Sequence, residues 1–208
     1  MRDQKKVQVE ETMFELLHCD VIATHTRVDH EAQRPESWIN SPARLNDKVT
    51  DKPLMFIINF QVPGSPSVHV VLFFKRRPPK SPPDPNEAGF EILLDRFLNG
   101  SDEFRDTRLK FIPHVIEGNW LVRKGVGTKP AIIGKKLKQK YYQSKEQNYF
   151  EVDVDVGSSA VGGSIFKLVK GYCITLTIDL CFTLEGQSEE ELPERLVGGV
   201  RMAHCDMS

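Results

Sequence analysis

The sequence predicts an α+β fold: a single domain in which a curved antiparallel β-sheet carries a few packed helices. Three observations predict it. Tyr172, Ile174, Leu176, Ile178, Leu180, Phe182 and Leu184 alternate with Cys173, Thr175, Thr177, Asp179, Cys181 and Thr183, a period of two that a helix cannot imitate. Two near-continuous apolar runs, Leu54 to Val62 and Val68 to Lys75, flank Pro63-Gly64-Ser65-Pro66, which reads as a β-hairpin covered on both faces. Glu87 to Leu98 places Phe90, Leu93, Leu94 and Phe97 at helical spacing before Asn99-Gly100, a helix with its stop.

In chain order, the polar start MRDQKKVQVEE lacks the apolar segment of a secretory signal. Val9 to Thr24 reads as an extended segment, with a helix as competitor. His25 to Pro53 is polar, holds Pro35, Pro42 and Pro53, and predicts a long loop with one helical turn. Arg77 to Asn86 contains five prolines and predicts a polyproline-like surface loop. Leu109 to Ile116 and Asn119 to Val126 read as two short strands around Glu117-Gly118, and Ala131 to Tyr142 as a helix after Lys129-Pro130. Phe150, Val152, Val154 and Val156 alternate with Glu151, Asp153 and Asp155 in a further strand.

Ser158 and Ser159 are natural N-caps for a helix from Ala160 to Lys170, with Gly171 as its stop. Gly162, Gly163 and Ser164 weaken that helix, which predicts close approach to another backbone or to a ligand. The alternating run Gly171 to Glu185 then predicts one strand roughly 40 Å long at about 3.3 Å per residue, wrapping a core helix or a cavity. The acidic turn SEEELPE precedes a closing strand from Leu196 to His204.

Composition narrows the function classes. A chain of 208 residues supports one sizeable core. Its formal net charge of -1 argues against nucleic acid as a partner and against global adhesion to membranes. The apolar runs fall short of the roughly 20 residues that span a bilayer. Cys19, Cys173, Cys181 and Cys205 sit among apolar neighbours without metal-site spacing, which predicts reduced thiols and a cytosolic or cytosol-facing protein. No GxSxG, HExxH, P-loop, GxGxxG or Cys-His signature is present, so no enzyme activity, metal or cofactor is expected.

The candidate sites are few. Glu151, Asp153 and Asp155 share a strand face at a spacing that can support a metal or acid–base chemistry. A single strand presents carboxylates side by side, and a solvated or salt-bridged outer face is the expected reading. Lys135, Lys136, Lys138 and Lys140 are the candidate headgroup ligands. On the expected helix Lys135 and Lys138 share one face and Lys136 and Lys140 another, with Tyr141 and Tyr142 following. Trp120 is expected in a strand, either packed in the core or lining a cavity. Asp179 interrupts a half-buried face and needs Arg123 or Arg201 as partner, or a ligand. Tyr172, Ile174 and Leu176 complete the expected ligand-binding set with Trp120, Asp179 and Arg123.

Several blocks carry a family resemblance: MFIINFQVPG at Met55 to Gly64, FRDTRLKFIP at Phe104 to Pro113, GNWLVRKGVGTKPAIIGKKL at Gly118 to Leu137, NYFEVDVDVGSS at Asn148 to Ser159 and ELPERLVGGVR at Glu191 to Arg201. In order they cover nearly the whole chain, and the chain resembles the C-terminal domain of the plant Enhanced Disease Resistance 2 proteins. In larger members of that family the domain follows a pleckstrin-homology and a START-like lipid-binding domain, in regulators of defence-associated cell death at endomembranes. Neither upstream domain is in these 208 residues, so the resemblance carries over no phosphoinositide recognition. It implies company with lipid-binding domains and peripheral contact with endomembranes.

Two functions are therefore expected in competition. One is a non-enzymatic domain holding a lipid or other hydrophobic ligand in a cavity under the sheet, with weak peripheral membrane contact. The alternative is a protein-interaction or autoregulatory module with a fully packed core. The presence of a cavity separates them.

Overall fold

The computed structural model describes residues 11–41, 52–82 and 84–205. The polar start and the middle of the first long loop, Pro42 included, lie outside the described residues. The α+β expectation holds, with two sheets in place of one. Strand β1 (Phe14–Thr24), β2 (Met55–Val62), β3 (Ser67–Arg76), β6 (Lys138–Ser144) and β7 (Tyr149–Asp155) form the first sheet, in the order β1-β3-β2-β7-β6. Strands β4 (Leu109–Glu117), β5 (Ala131–Ile132), β8 (Thr177–Leu184) and β9 (Leu196–Ala203) form the second, ordered β5-β4-β8-β9. All pairs are antiparallel except β2 with β7.

One core joins the sheets. Phe56, Ile58, Leu72, Phe74, Phe150 and Val152 face Leu109, Phe182, Leu184 and Val197 across it. Helix α1 (Ala88–Asn99) drives Phe90, Leu93, Leu94 and Phe97 into the same core, where Phe97 meets Phe56 and Phe150 at ring centroids 6.0 and 5.5 Å apart. Each such side chain, fully buried, stabilises the fold by about 1.5–3 kcal/mol. The short helix α2 (Asp102–Asp106) follows, capped by Ser101.

The continuous apolarity of the hairpin has a second cause. The outward residues Met55, Ile57, Val71, Phe73 and Tyr149 form a smaller core under Ala32, Trp38 and Ile39. The first long loop, residues 25–41, therefore crosses the outer face of the first sheet, folded into two 3-10 turns, Glu31–Gln33 and Trp38–Asn40.

Four expectations are corrected. Residues Trp120–Val126 form a helix, α3, and not a strand. Asn119 caps it by accepting from Leu121 N at 2.9 Å, and Gly127, at φ 71, ends it. Helical spacing buries Val122 and turns Trp120 out to solvent, 65% exposed.

The expected helix from Ala131 to Tyr142 is a turn between β5 and the edge strand β6. A side chain at Gly134 would meet the Asp106 carbonyl oxygen at 2.4 Å, and the LKQKYYQS alternation favours an extended edge that lysines keep solvated. Lys135, Lys136, Lys138 and Lys140 thus share no helix faces.

The long strand is half its expected length. Helix α4 runs Ala160–Tyr172, a 3-10 turn covers Cys173–Thr175, and β8 begins at Thr177. Val169, Cys173 and Leu176 also satisfy a helical spacing, and that one is used: Cys173 and Leu176 are buried while Ile174 is 63% exposed.

Glu151 and Asp153 are fully buried rather than solvated. Their strand face does point outward, but the 25–41 segment covers it.

Candidate functional site

Two polar or open features compete as a site: the buried carboxylates under the 25–41 segment, and a void between the sheets.

The carboxylates are a clasp. Both oxygens of Glu151 accept backbone N–H groups, from Glu31 at 2.7 Å and Ala32 at 2.9 Å. Asp153 accepts from His30 N at 2.8 Å, the Asn59 amide at 2.9 Å and the Gln61 amide at 3.0 Å. The register explains the meeting, since Asn59 lies opposite Asp153 and Gln61 opposite Asp155 on neighbouring β2. His69 on β3 extends the network: its Nε2 accepts from Val28 N at 3.3 Å, which leaves Nδ1 to donate to Asn59 Oδ1 at 3.1 Å. At the rim Arg27 bonds Asp155 at 2.6 Å, and Lys140 bonds Asp29 at 2.5 Å.

Burial, reinforced by the Asp153 charge, raises the Glu151 carboxyl far above the carboxylate range, to about 9. Burial also raises Asp153 and keeps His69 neutral by lowering its pKa. Every oxygen of the two acids has a donor from the protein itself. Among the described residues no group of three His, Cys, Asp or Glu side chains is placed to hold a metal.

The void lies beyond α1. Phe56 packs on α1, whereas Phe60, four residues on along β2, lines an apolar cavity of about 490 Å³. Its walls are the inner faces of both sheets, including Val70, Phe111, Ile178, Leu180 and Met202. Helix α4 forms its roof through Ile165, Phe166 and Val169. None of the α4 side chains is fully buried, because its apolar face meets the cavity instead of packed core.

Gly162 lets the helix sit this low. A side chain there would meet Leu137 Cδ2 at 2.9 Å and the Val156 carbonyl oxygen at 3.1 Å. Ser159 caps the helix, accepting from Gly162 N at 3.4 Å. Gly125 of α3 similarly abuts Leu168 of α4.

A polar recess of about 400 Å³ adjoins the cavity and shares Lys136 and Leu137 with it. The four lysines expected as headgroup ligands all line this recess. The turn after β5 and the alternation of β6 bring them together, not a helix. Beside them both amide atoms of Gln139 are buried without a partner among the described residues.

Of the other expected residues, Leu176 lines the cavity and the rest lie outside its wall. Trp120 and Ile174 face solvent, and Tyr172 packs on the margin of the core. Asp179 pairs with Arg201 at 2.7 and 2.8 Å. Arg123 instead donates to the carbonyls of Val115 and Ile116. The roof residues Ile165, Phe166 and Val169 were legible only as the apolar face of a helix; nothing in their spacing says that this face meets a void.

Fold and cavity together define a class: a two-sheet α+β domain with an apolar void between its sheets and a small-residue helix across it. The chain belongs to the family described as Protein ENHANCED DISEASE RESISTANCE 2, C-terminal, which matches residues 1–206. It is 34% identical over 206 residues to Protein ENHANCED DISEASE RESISTANCE 2-like from Arabidopsis thaliana, covering 99% of this chain and 26% of that relative. The chain thus spans about a quarter of the length of that relative. No solved structure matches it.

Proposed function

We propose that the domain binds a hydrophobic ligand, a lipid with one long chain, in the cavity between its sheets. One observation carries this reading: about 490 Å³ lined almost wholly by apolar side chains, within the size range of small-molecule sites. A space of this size and lining suits one long apolar chain.

The lysines of the adjoining recess suit a negatively charged head at the rim, where Lys136 belongs to both spaces. A binding role rather than a catalytic one is supported by the wall itself. Its polar members are Lys129, Lys136, Ser159, Cys173 and Cys205, with no imidazole or carboxylate beside the hydroxyl or thiols to act as base. Burial also raises the Cys205 thiol and disfavours its reactive form. The competing interaction module needs a packed core, which this void argues against.

Native mass spectrometry of protein purified from a eukaryotic host tests the reading. It predicts a co-purifying single-chain lipid at one per protein. Apo protein that takes up no added long-chain fatty acid would sink it.

A further inference from the structure

The covering of the cavity differs in charge from the rest of the molecule. Residues 118–144 hold seven Lys and Arg and residues 156–178 two more, Lys167 and Lys170, and neither stretch contains an Asp or Glu. All nine are exposed. The remaining 19 Lys and Arg share the chain with all 29 Asp and Glu, and many of them are paired: Arg76 with Glu91, Arg108 with Glu191, Lys110 with Glu194, Arg201 with Asp179. Of the nine, Lys140 alone has a carboxylate partner among the described residues. Eight cations without a carboxylate partner among the described residues thus gather over the cavity of a protein of near-zero net charge.

The same covering carries the most exposed large apolar side chains of the described residues. Trp120 of α3, Val161 of α4 and Ile174 just beyond it are 65%, 68% and 63% exposed. Lys167 and Lys170 of α4 and Ile174 just beyond it fall at intervals of three and four residues along one outer stripe, while Val161 stands at the cavity rim. The opposite stripe, Ile165, Phe166 and Val169, lines the cavity. Exposed apolar residues flanked by lysines, with an exposed Trp beside them, are the pattern of a helix lying in a lipid interface.

We propose that α3 and α4 form a docking face for an anionic lipid surface, from which the cavity is loaded. The loading step rests on the proposed function above; the docking step does not. Unpaired cations fit an anionic surface by charge, and the apolar tips fit the acyl boundary beneath the headgroups. A chain leaving that surface would pass α4 into the space its inner stripe lines.

Co-sedimentation of the 208-residue protein with two kinds of vesicle tests the docking. Pure phosphatidylcholine vesicles are compared with vesicles of equal parts phosphatidylcholine and phosphatidylserine. Each cation near an anionic surface is worth about a fivefold change in binding. The double variant Lys167→Glu/Lys170→Glu is therefore expected to lower binding to the anionic vesicles more than about tenfold, and added salt to weaken it. In a Trp38→Phe background, Trp120 fluorescence should shift to the blue on anionic vesicles alone.

Equal binding to both vesicles, no binding to either, or an unchanged double variant would overturn the docking face. Fatty-acid binding without vesicles separates the two readings. If chains bind and vesicles do not, the docking falls alone; if vesicles bind and no chain is taken up, the cavity reading falls instead.

Discussion

Glu151 and Asp153 show what a single residue can do in this fold. Each would cost several kcal/mol if buried charged and alone; donors from two chain segments, 30–32 and 59–61, and a retained proton reduce that cost. Burial holds the Glu151 proton in the folded state, whereas the unfolded chain releases it above its ordinary value of 4.5. The contribution of this group is therefore intact below pH 4.5 and is lost as pH rises toward about 9. His69 and His30, whose pKa values burial lowers from 6.5, act in the opposite sense, losing stability as pH falls below 6.5. Between 6.5 and about 9 the melting temperature should thus fall with pH, at no more than about 1.4 kcal/mol per pH unit for one proton. Glu151→Gln should flatten that slope, measured by thermal melts across the interval. It also removes one acceptor for the 31–32 backbone, so it should lower the melting temperature at the acidic end.

Glu191 is a second hidden charge. It lies in what reads as a solvated acidic turn, yet it is 1% exposed and receives Arg108 at 2.9 Å and Arg96 at 2.8 Å. Glu191→Ala leaves buried Arg108 without its partner and should destabilise by about 3–5 kcal/mol, read from urea melts. The alternation of 149–155 shows which residues share a face. It carries no sign of a distant segment folding over that face, so the burial of these acids was not legible.

Elements with a single local signal were legible: the hairpin around Pro63-Gly64-Ser65-Pro66, helix α1 with its four apolar positions, and the Ser159 cap of α4. Elements with two overlapping signals were not. Residues 172–176 fit both a strand and the end of a helix, and they turn out of α4 through a 3-10 turn that buries Cys173 and Leu176 together. In 119–126 the short segment hid a cap-to-cap helix whose ends, Asn119 and Gly127, were the informative residues. The small-residue stretch of α4 separates at this scale into two roles. Gly162 is held close by Leu137 and Val156, whereas nothing lies within 4 Å of a side chain added at Gly163. Gly163→Ala should therefore raise stability by about 0.5–1 kcal/mol. Gly162→Ala should forfeit that gain by pushing α4 off Leu137, and comparison of the two melting curves checks it.

At the scale of the whole molecule, α1 packs between the two sheets where Phe56, Phe97 and Phe150 stack, and α4 bridges the region that this packing leaves open. The sequence foretold a sheet curved around something; the split into two sheets depends on long-range pairings such as β2 with β7, which no local pattern encodes. The central claim is that the space under α4 holds one long apolar chain. The most direct test measures fatty-acid affinity against chain length for the wild-type protein and for Val169→Trp, which places a ring in the roof of the cavity. One-to-one binding that strengthens with chain length to an optimum, moved to shorter chains in Val169→Trp, is the predicted result. Absence of saturable binding, or a chain-length profile that Val169→Trp leaves unchanged in a folded protein, would contradict it.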